Sequence, residues 1–298
     1  MGRGPTLAVN LHVYLRLGRV SNLPTVWTNT LAGVVLAGHT VFDPRIVPLI
    51  VTMSLFYIGG MYLNDGFDAD IDAIERPERP IPSGQIGRQT VYWLGSAMLA
   101  AGIGLLIGIG YGPADGKGFP LVLSGLTLAG AIVFYNWHHK ANPLSPVIMG
   151  LCRVLVYMTA GLSVAAPIPT PVLVGAGLLL CYLIGLTYVA KQENSGRIEL
   201  MWPLVFLAAP VIYGLSLIPA QPVTAAFWFG FAASIGVALG FVKRRRPGDI
   251  PCAVISLIAG ISLFDAMLIA GAGQLLGAIL AVVGFLLTLT LQRFVPGT

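Results

Sequence analysis

Runs of about 20 mainly apolar residues recur along the whole chain. Each is long enough to cross roughly 30 Å of hydrocarbon as a helix. They cover residues 22–40, 46–63, 91–111, 119–136, 144–166, 170–190, 201–218, 222–242, 251–271 and 273–292. A Gly-rich corner at Gly271 and Gly273 is all that parts the last two, so the pattern predicts nine or ten spans. No soluble domain intervenes. The longest polar stretch runs from Asn64 to about Gln89. The N-terminal residues have no long apolar core and do not read as a cleaved signal peptide. The expected fold is an all-α polytopic membrane protein, one domain over 1–298.

Composition sharpens this reading. Hydrophobic residues make up 56% of the chain and charged ones 10%, where soluble proteins carry roughly 25% charge. A water-soluble domain could not hide that apolar surface, and a disordered chain has the opposite signature. In lipid the backbone must satisfy its own polar groups, which helices do. The net charge of +5 suggests no nucleic acid here. It reflects loops rich in Lys and Arg. With a cytoplasmic N-terminus, one set of loops holds fourteen of the seventeen basic residues, and the other set only Arg45 and Lys117. That split predicts an inner-membrane protein with a cytoplasmic N-terminus and favours an even number of spans. Lys243–Arg246 reads as an anchor for anionic membrane lipids. Cys152, Cys181 and Cys252 match no zinc site or disulfide framework.

The acidic residues gather in one place. Six of the twelve carboxylates, Asp65, Asp68, Asp70, Asp72, Glu75 and Glu78, fall in fourteen residues directly after the second apolar run. If the helix continues past the bilayer, Asn64, Asp68 and Asp72 stack on one face at i, i+4 and i+8, Asp65 borders that face, and Asp70 points elsewhere. Stacked carboxylates repel, and a cation between them removes the cost. Oxygen-only ligands suit Mg²⁺, which commonly shares its shell with substrate phosphates. A calcium EF-hand starting at Asp68 would need Gly and Glu where Ala73 and Arg79 stand. The following Arg76-Pro77-Glu78-Arg79-Pro80-Ile81-Pro82-Ser83-Gly84 stops the helix. It also supplies guanidinium forks suited to phosphate oxygens. Carboxylates for a metal beside cations for phosphate point to a diphosphate ligand.

Asn64-Asp65-x-x-Asp68-x-x-x-Asp72 followed by Arg79-Pro80-Ile81-Pro82-Ser83-Gly84 resembles the first signature of the UbiA superfamily of intramembrane prenyltransferases. The wording is most similar to the branch of chlorophyll synthase and the archaeal geranylgeranylglyceryl phosphate prenyltransferases. A second similar region is Tyr135-Asn136-Trp137-His138-His139-Lys140, followed by Asn142-Pro143-Leu144-Ser145-Pro146 and Gly150-Leu151-Cys152-Arg153. The resemblance implies a helical bundle around a central cavity open to the cytoplasmic side. It implies Mg²⁺ held by Asn64, Asp65, Asp68, Asp72 and Glu193. It implies diphosphate bound by Arg76, Arg79, Tyr135, Lys140 and Lys191, with Asp68, Asp72 and Lys140 carrying catalysis. Arg19, Asn22 and Asn29 are similar to residues that face the acceptor. Arg153 is placed toward the same pocket because an intramembrane Arg is costly unless it faces a cavity or partner.

One departure leaves two classes of function open. The family's second acidic motif follows the sixth span, but Tyr188–Arg197 contains no Asp, and Glu193 is its only carboxylate. The first reading is a Mg²⁺-dependent transferase passing a prenyl group from a prenyl diphosphate to a small hydrophobic or aromatic acceptor. The second is a catalytically silent homologue that binds or transports an amphipathic small molecule. Asp265, midway along the ninth run, has no role implied by the resemblance.

Overall fold

The computed structural model describes residues 11–138, 142, 144–195, 202–295 and 297, with backbone alone for 191–195. Its helices are α1 (Leu11–Leu17), α2 (Leu23–Leu36), α3 (Ile46–Glu75), α4 (Arg88–Tyr111), α5 (Phe119–His138) and α6 (Ser145–Leu162). They continue as α7 (Thr170–Ser195), α8 (Ala208–Leu217), α9 (Thr224–Arg244), α10 (Asp249–Gly271) and α11 (Leu275–Leu291). Short 3₁₀ turns at Val20–Asn22 and Trp202–Leu207 lead into α2 and α8. Among the described residues there is no strand. Every apolar run expected from the sequence is helical. Seven helices (α3–α7, α9 and α10) are long and apolar enough to cross a membrane. The segments Trp202–Leu217 and Leu275–Leu291 are shorter apolar helices, and α2 has 14 residues. The protein is therefore a multi-pass helical membrane protein.

Two helices organise the bundle. α2 packs on α3, α6, α10 and α11, and α10 packs on α7, α9, α11 and α2. α10 is buried without a break from Ala259 to Ala270, as expected for a helix apolar on all sides. Outer helices bury one stripe and expose the other. Trp93, Ile107, Leu126, Val133, Phe229 and Leu286 are exposed, on surface that lipid would cover. Close approach of α3 and α4 depends on Gly59 facing Gly95. A Cβ added at Gly59 would stand 2.9 Å from the Gly95 carbonyl oxygen.

α3 shapes the site. Its 30 residues reach about 45 Å, roughly 15 Å more than the hydrocarbon core is thick. The polar stretch after residue 63 is therefore helix down to Glu75 and only then a loop. Arg76 precedes a proline and leaves the helical region, at φ −144° and ψ 62°. The loop then folds back. Ile86 buries itself with Val13, Leu17, Tyr62 and Val91 in a small cluster of its own. Gly84 supplies the left-handed turn, at φ 74°.

The opposite end of α3 is tied by a polar clasp. Arg45 binds Asp43 at 2.8 Å and Asp115 at 3.0 Å, and donates to the Ser163 carbonyl at 3.3 Å. Three loops are joined this way. The Arg45 guanidinium holds the Asp43 carboxyl down at about 2, against burial, which pushes it up, and His39 assists. A carboxyl depressed below its usual 3.8 stabilises the fold fully above about pH 4. That contribution is lost as pH falls toward about 2. Asp43→Asn is expected to flatten this acid limb in thermal unfolding of the solubilised protein between about pH 5 and 2. An unchanged limb would remove the clasp from the account of stability.

Candidate functional site

A cavity of about 780 Å³ runs into the bundle, walled by α2, α3, α5, α6, α7 and α10. Its inner wall is apolar, with Met53, Phe56, Leu128, Val156, Leu183 and Ile261 among the lining residues. Its mouth is polar. Arg19, Asn22, Asn64, Arg76, Arg79, Tyr135, Asn136 and Asn142 line it.

The acidic face of α3 stands at that mouth. Asn64, Asp65, Asp68 and Asp72 are all buried, whereas Asp70, Glu75 and Glu78 are exposed. The spacing expected from a continued helix is thus realised, with Asp70 turned outward onto Arg88 at 3.0 Å. The carboxylates do not themselves line the cavity, as a metal-holding rim would suggest; of the four, only Asn64 does. Guanidinium groups stand between. Arg79 meets Asp72 at 2.8 Å and Asp65 at 3.5 Å. Arg19 meets Asn64 at 3.2 Å and Asp65 at 3.4 Å. The order from cavity outward is cation, then anion. The returning loop brings Arg79 to this place. A left-handed turn at Arg19, φ 42°, brings the other cation, a conformation that costs a non-Gly residue about 1–2 kcal/mol. Arg19 therefore sits on the acidic helix rather than deeper with Arg153.

Other expected residues also converge. Tyr135 and Arg76 line the mouth, and Arg153 lines the cavity further in. Asn22 lines the mouth, but its amide is engaged. It accepts from Gln292 at 2.8 Å and donates to the Gly297 carbonyl at 3.1 Å. Lys140 lies outside the described residues. α7 carries the backbone of Lys191 and Glu193 toward the mouth, and their side chains also lie outside the described residues. One structural residue was not singled out by the sequence. Asn136 links α5 to α3, accepting from Asn64 at 3.2 Å and donating to the Gly60 carbonyl at 2.9 Å. Its signal was visible as an amide two residues before the end of an apolar helix.

Among the described residues no three His, Cys, Asp or Glu side chains group closely enough to hold one metal ion. The donor chemistry still fits Mg²⁺, which takes one or two carboxylates and completes its shell with water and substrate phosphates. Buried hard oxygen donors on one helix face, at the mouth of an apolar chamber, are of that kind.

Residues 26–253 match the model for the UbiA prenyltransferase family. The chain belongs to that family. Two solved UbiA-type structures share its fold. One is described as digeranylgeranylglyceryl phosphate synthase in membranes, at TM-score 0.61 and 18% identity, covering 88% of this chain and 98% of that one. The other is a UbiA homologue from Aeropyrum pernix K1 without ligand, at TM-score 0.62 and 14% identity, covering 84% and 96%. Digeranylgeranylglyceryl phosphate synthase of Ignicoccus hospitalis is 37% identical over 108 residues, 36% of this chain and 34% of that protein. The same-named protein of Methanopyrus kandleri is 29% identical over 139 residues, 47% and 48%. This chain therefore matches about a third to a half of the length of these UbiA relatives.

Proposed function

We propose that this UbiA-family chain is a Mg²⁺-dependent intramembrane prenyltransferase. The observation that carries the reading is the joining of an apolar chamber to a mouth of guanidinium groups backed by buried carboxylates. A prenyl diphosphate is an amphiphile of that shape. Its tail would lie in the chamber, gaining roughly 0.8 kcal/mol per buried CH₂. Its head would meet Arg19, Arg76 and Arg79, with Tyr135, Lys140 and Lys191 completing the anion site. Asn64, Asp65, Asp68, Asp72 and Glu193 would hold the metal. When bound, Mg²⁺ would neutralise charge developing on the departing diphosphate.

The chain's own residues account for the rest. Binding of phosphate oxygens by the guanidinium forks stabilises the leaving group as its C–O bond breaks. With the guanidinium groups turned to the diphosphate, Asp65 and Asp72 would be open to hold the metal, which would supply positive charge beside the leaving group. The apolar walls keep water from the allylic cation. The acceptor's nucleophilic atom forms the new bond to carbon and gives up its proton. An aromatic ring was the acceptor expected from the resemblance. The names of the relatives favour a glyceryl phosphate hydroxyl, with Asn22 and Arg153 toward the acceptor; Arg19, expected there from the resemblance, lies on Asn64 and Asp65 instead and is assigned to the diphosphate. In this reading the three shorter helices complete a bundle of ten spans in the plasma membrane, and the N-terminus and the mouth face the cytosol.

The absence of Asp from Tyr188–Arg197, at the end of α7, favours the second reading, a silent homologue that binds or moves an amphipathic molecule. Purified protein given a panel of prenyl diphosphates and acceptors decides between them. Magnesium-dependent release of diphosphate together with prenylated acceptor is the expected result. Transport of the amphiphile across vesicles with no release would favour the silent homologue.

A further inference from the structure

Arg153 occupies the middle of α6, eight residues or about 12 Å beyond Ser145 at the helix start. It lines the chamber. Its Nη1 donates to Asn29 Oδ1 at 2.9 Å and its Nη2 to Thr25 Oγ1 at 3.0 Å. Its guanidinium stands over the Tyr57 ring, 5.5 Å from the centroid. All three partners are neutral. Among the described residues no carboxylate forms an ion pair with it. A cation at this depth is costly without an anion, and its two recorded bonds leave part of its five-donor fork free to meet one.

The carboxyl group in this network is Asp265, one residue further on. Asn29 Nδ2 donates to Asp265 Oδ2 at 2.8 Å, and the Tyr157 hydroxyl donates to Oδ1. Asp265 is fully buried and is not part of the chamber wall. Both carboxyl oxygens of Asp265 accept in this arrangement, so the acid fixes which end of the Asn29 amide faces it. The amide nitrogen must point to Asp265 and the amide oxygen to Arg153. The acid thereby aims the guanidinium without neutralising it. Thr28 and Ser262, joined at 3.2 Å, close the same layer between α2 and α10.

Depth separates this cation from the mouth. Tyr57 precedes Asn64 by seven residues on α3, about 10 Å along the helix. A diphosphate held by Arg19 and Arg79 would leave Arg153 for a second anionic group deeper in the chamber. We infer that Arg153 recognises an oxyanion, phosphate or carboxylate, on the acceptor, and that Asp265 is its positioning residue, acting through Asn29. The word acceptor rests on the transferase reading proposed above; the oxyanion site does not.

The test uses the full chain in nanodiscs and two matched pairs of acceptors. One pair is an alkylglyceryl phosphate and the same molecule without phosphate; the other is a hydroxybenzoate and the corresponding phenol. Whichever pair shows a preference for its anionic member tells phosphate from carboxylate. Arg153→Gln is expected to raise KM for that member about ten- to hundredfold, the scale of one charge-assisted hydrogen bond. KM for the prenyl diphosphate shifts little, and the neutral member loses much less than the anionic one. Arg153→Lys restores part of the preference, and Asp265→Asn weakens it in the same acceptor-selective way. Equal losses with anionic and neutral members, or no change in either, would overturn the inference. If the wild type releases no diphosphate at all, the transferase reading fails and binding decides. Calorimetric binding of the anionic member that is lost in Arg153→Gln upholds the oxyanion site; binding indifferent to Arg153 rejects it.

Discussion

Asp72→Asn is expected to lower diphosphate release about a hundred- to thousandfold, the scale of deleting one preorganised group that stabilises developing charge. Asp72 is 4% exposed and holds Arg79 at 2.8 Å. The substitution keeps the side chain's shape and its capacity to accept a hydrogen bond from Arg79. It removes only the negative charge, so folding is retained while the metal site and the aim of Arg79 are both weakened. Asp70→Asn provides the contrast. Asp70 lies two residues away on the same helix but is exposed and paired to Arg88. Its loss should leave release within about twofold, as surface pairs contribute little. Equal effects of the two variants would show that acidity in this tract matters only in bulk, and that the buried face has no special role.

Arg79→Ala is expected to destabilise the protein by about 3–5 kcal/mol, the usual consequence of stripping one partner from a buried ion pair. Arg79 serves two carboxylates, Asp65 and Asp72, and both are nearly inaccessible. Without it those charges face each other, with Arg19 on Asp65 as the recorded cation. A divalent cation can take the place of the guanidinium. The unfolding temperature of the variant should therefore rise with added Mg²⁺ more steeply than that of the wild type. A variant as stable as wild type without the metal, or one indifferent to it, would mean that the carboxylates are neutralised in another way.

Much of the fold was legible because lipid imposes length and polarity together. The apolar runs, read as nine or ten spans, all fall on helical segments, seven of them long and apolar enough to cross a membrane. Helix α3 was legible in outline: the i, i+4, i+8 spacing of Asn64, Asp68 and Asp72 foretold the buried face only on the condition that the helix outran the membrane. Its 30 residues meet that condition. The interposed arginines were not legible. Arg19 lies 46 residues before Asp65, and its placement depends on a left-handed turn that no local pattern announces. The role of Asp265 was hidden for a related reason. The network around it comes in pairs at i, i+4 spacing, Thr25 with Asn29 and Arg153 with Tyr157, on two other helices; Asn29 and Tyr157 bond Asp265, and Thr25 bonds Arg153. Each pair marks a polar spot on an apolar helix, but only packing shows that the spots meet.

The central claim is that a prenyl diphosphate docks its head against Arg19, Arg76 and Arg79 with a divalent ion beside the buried face of α3. It is tested most directly by a structure of the protein with a non-hydrolysable prenyl thiodiphosphate and Mn²⁺, the ion located by anomalous scattering. The account predicts the ion within reach of Asp68 or Asp72 and the prenyl tail in the chamber. A tail lying outside the chamber, or an ion bound away from α3, would contradict it.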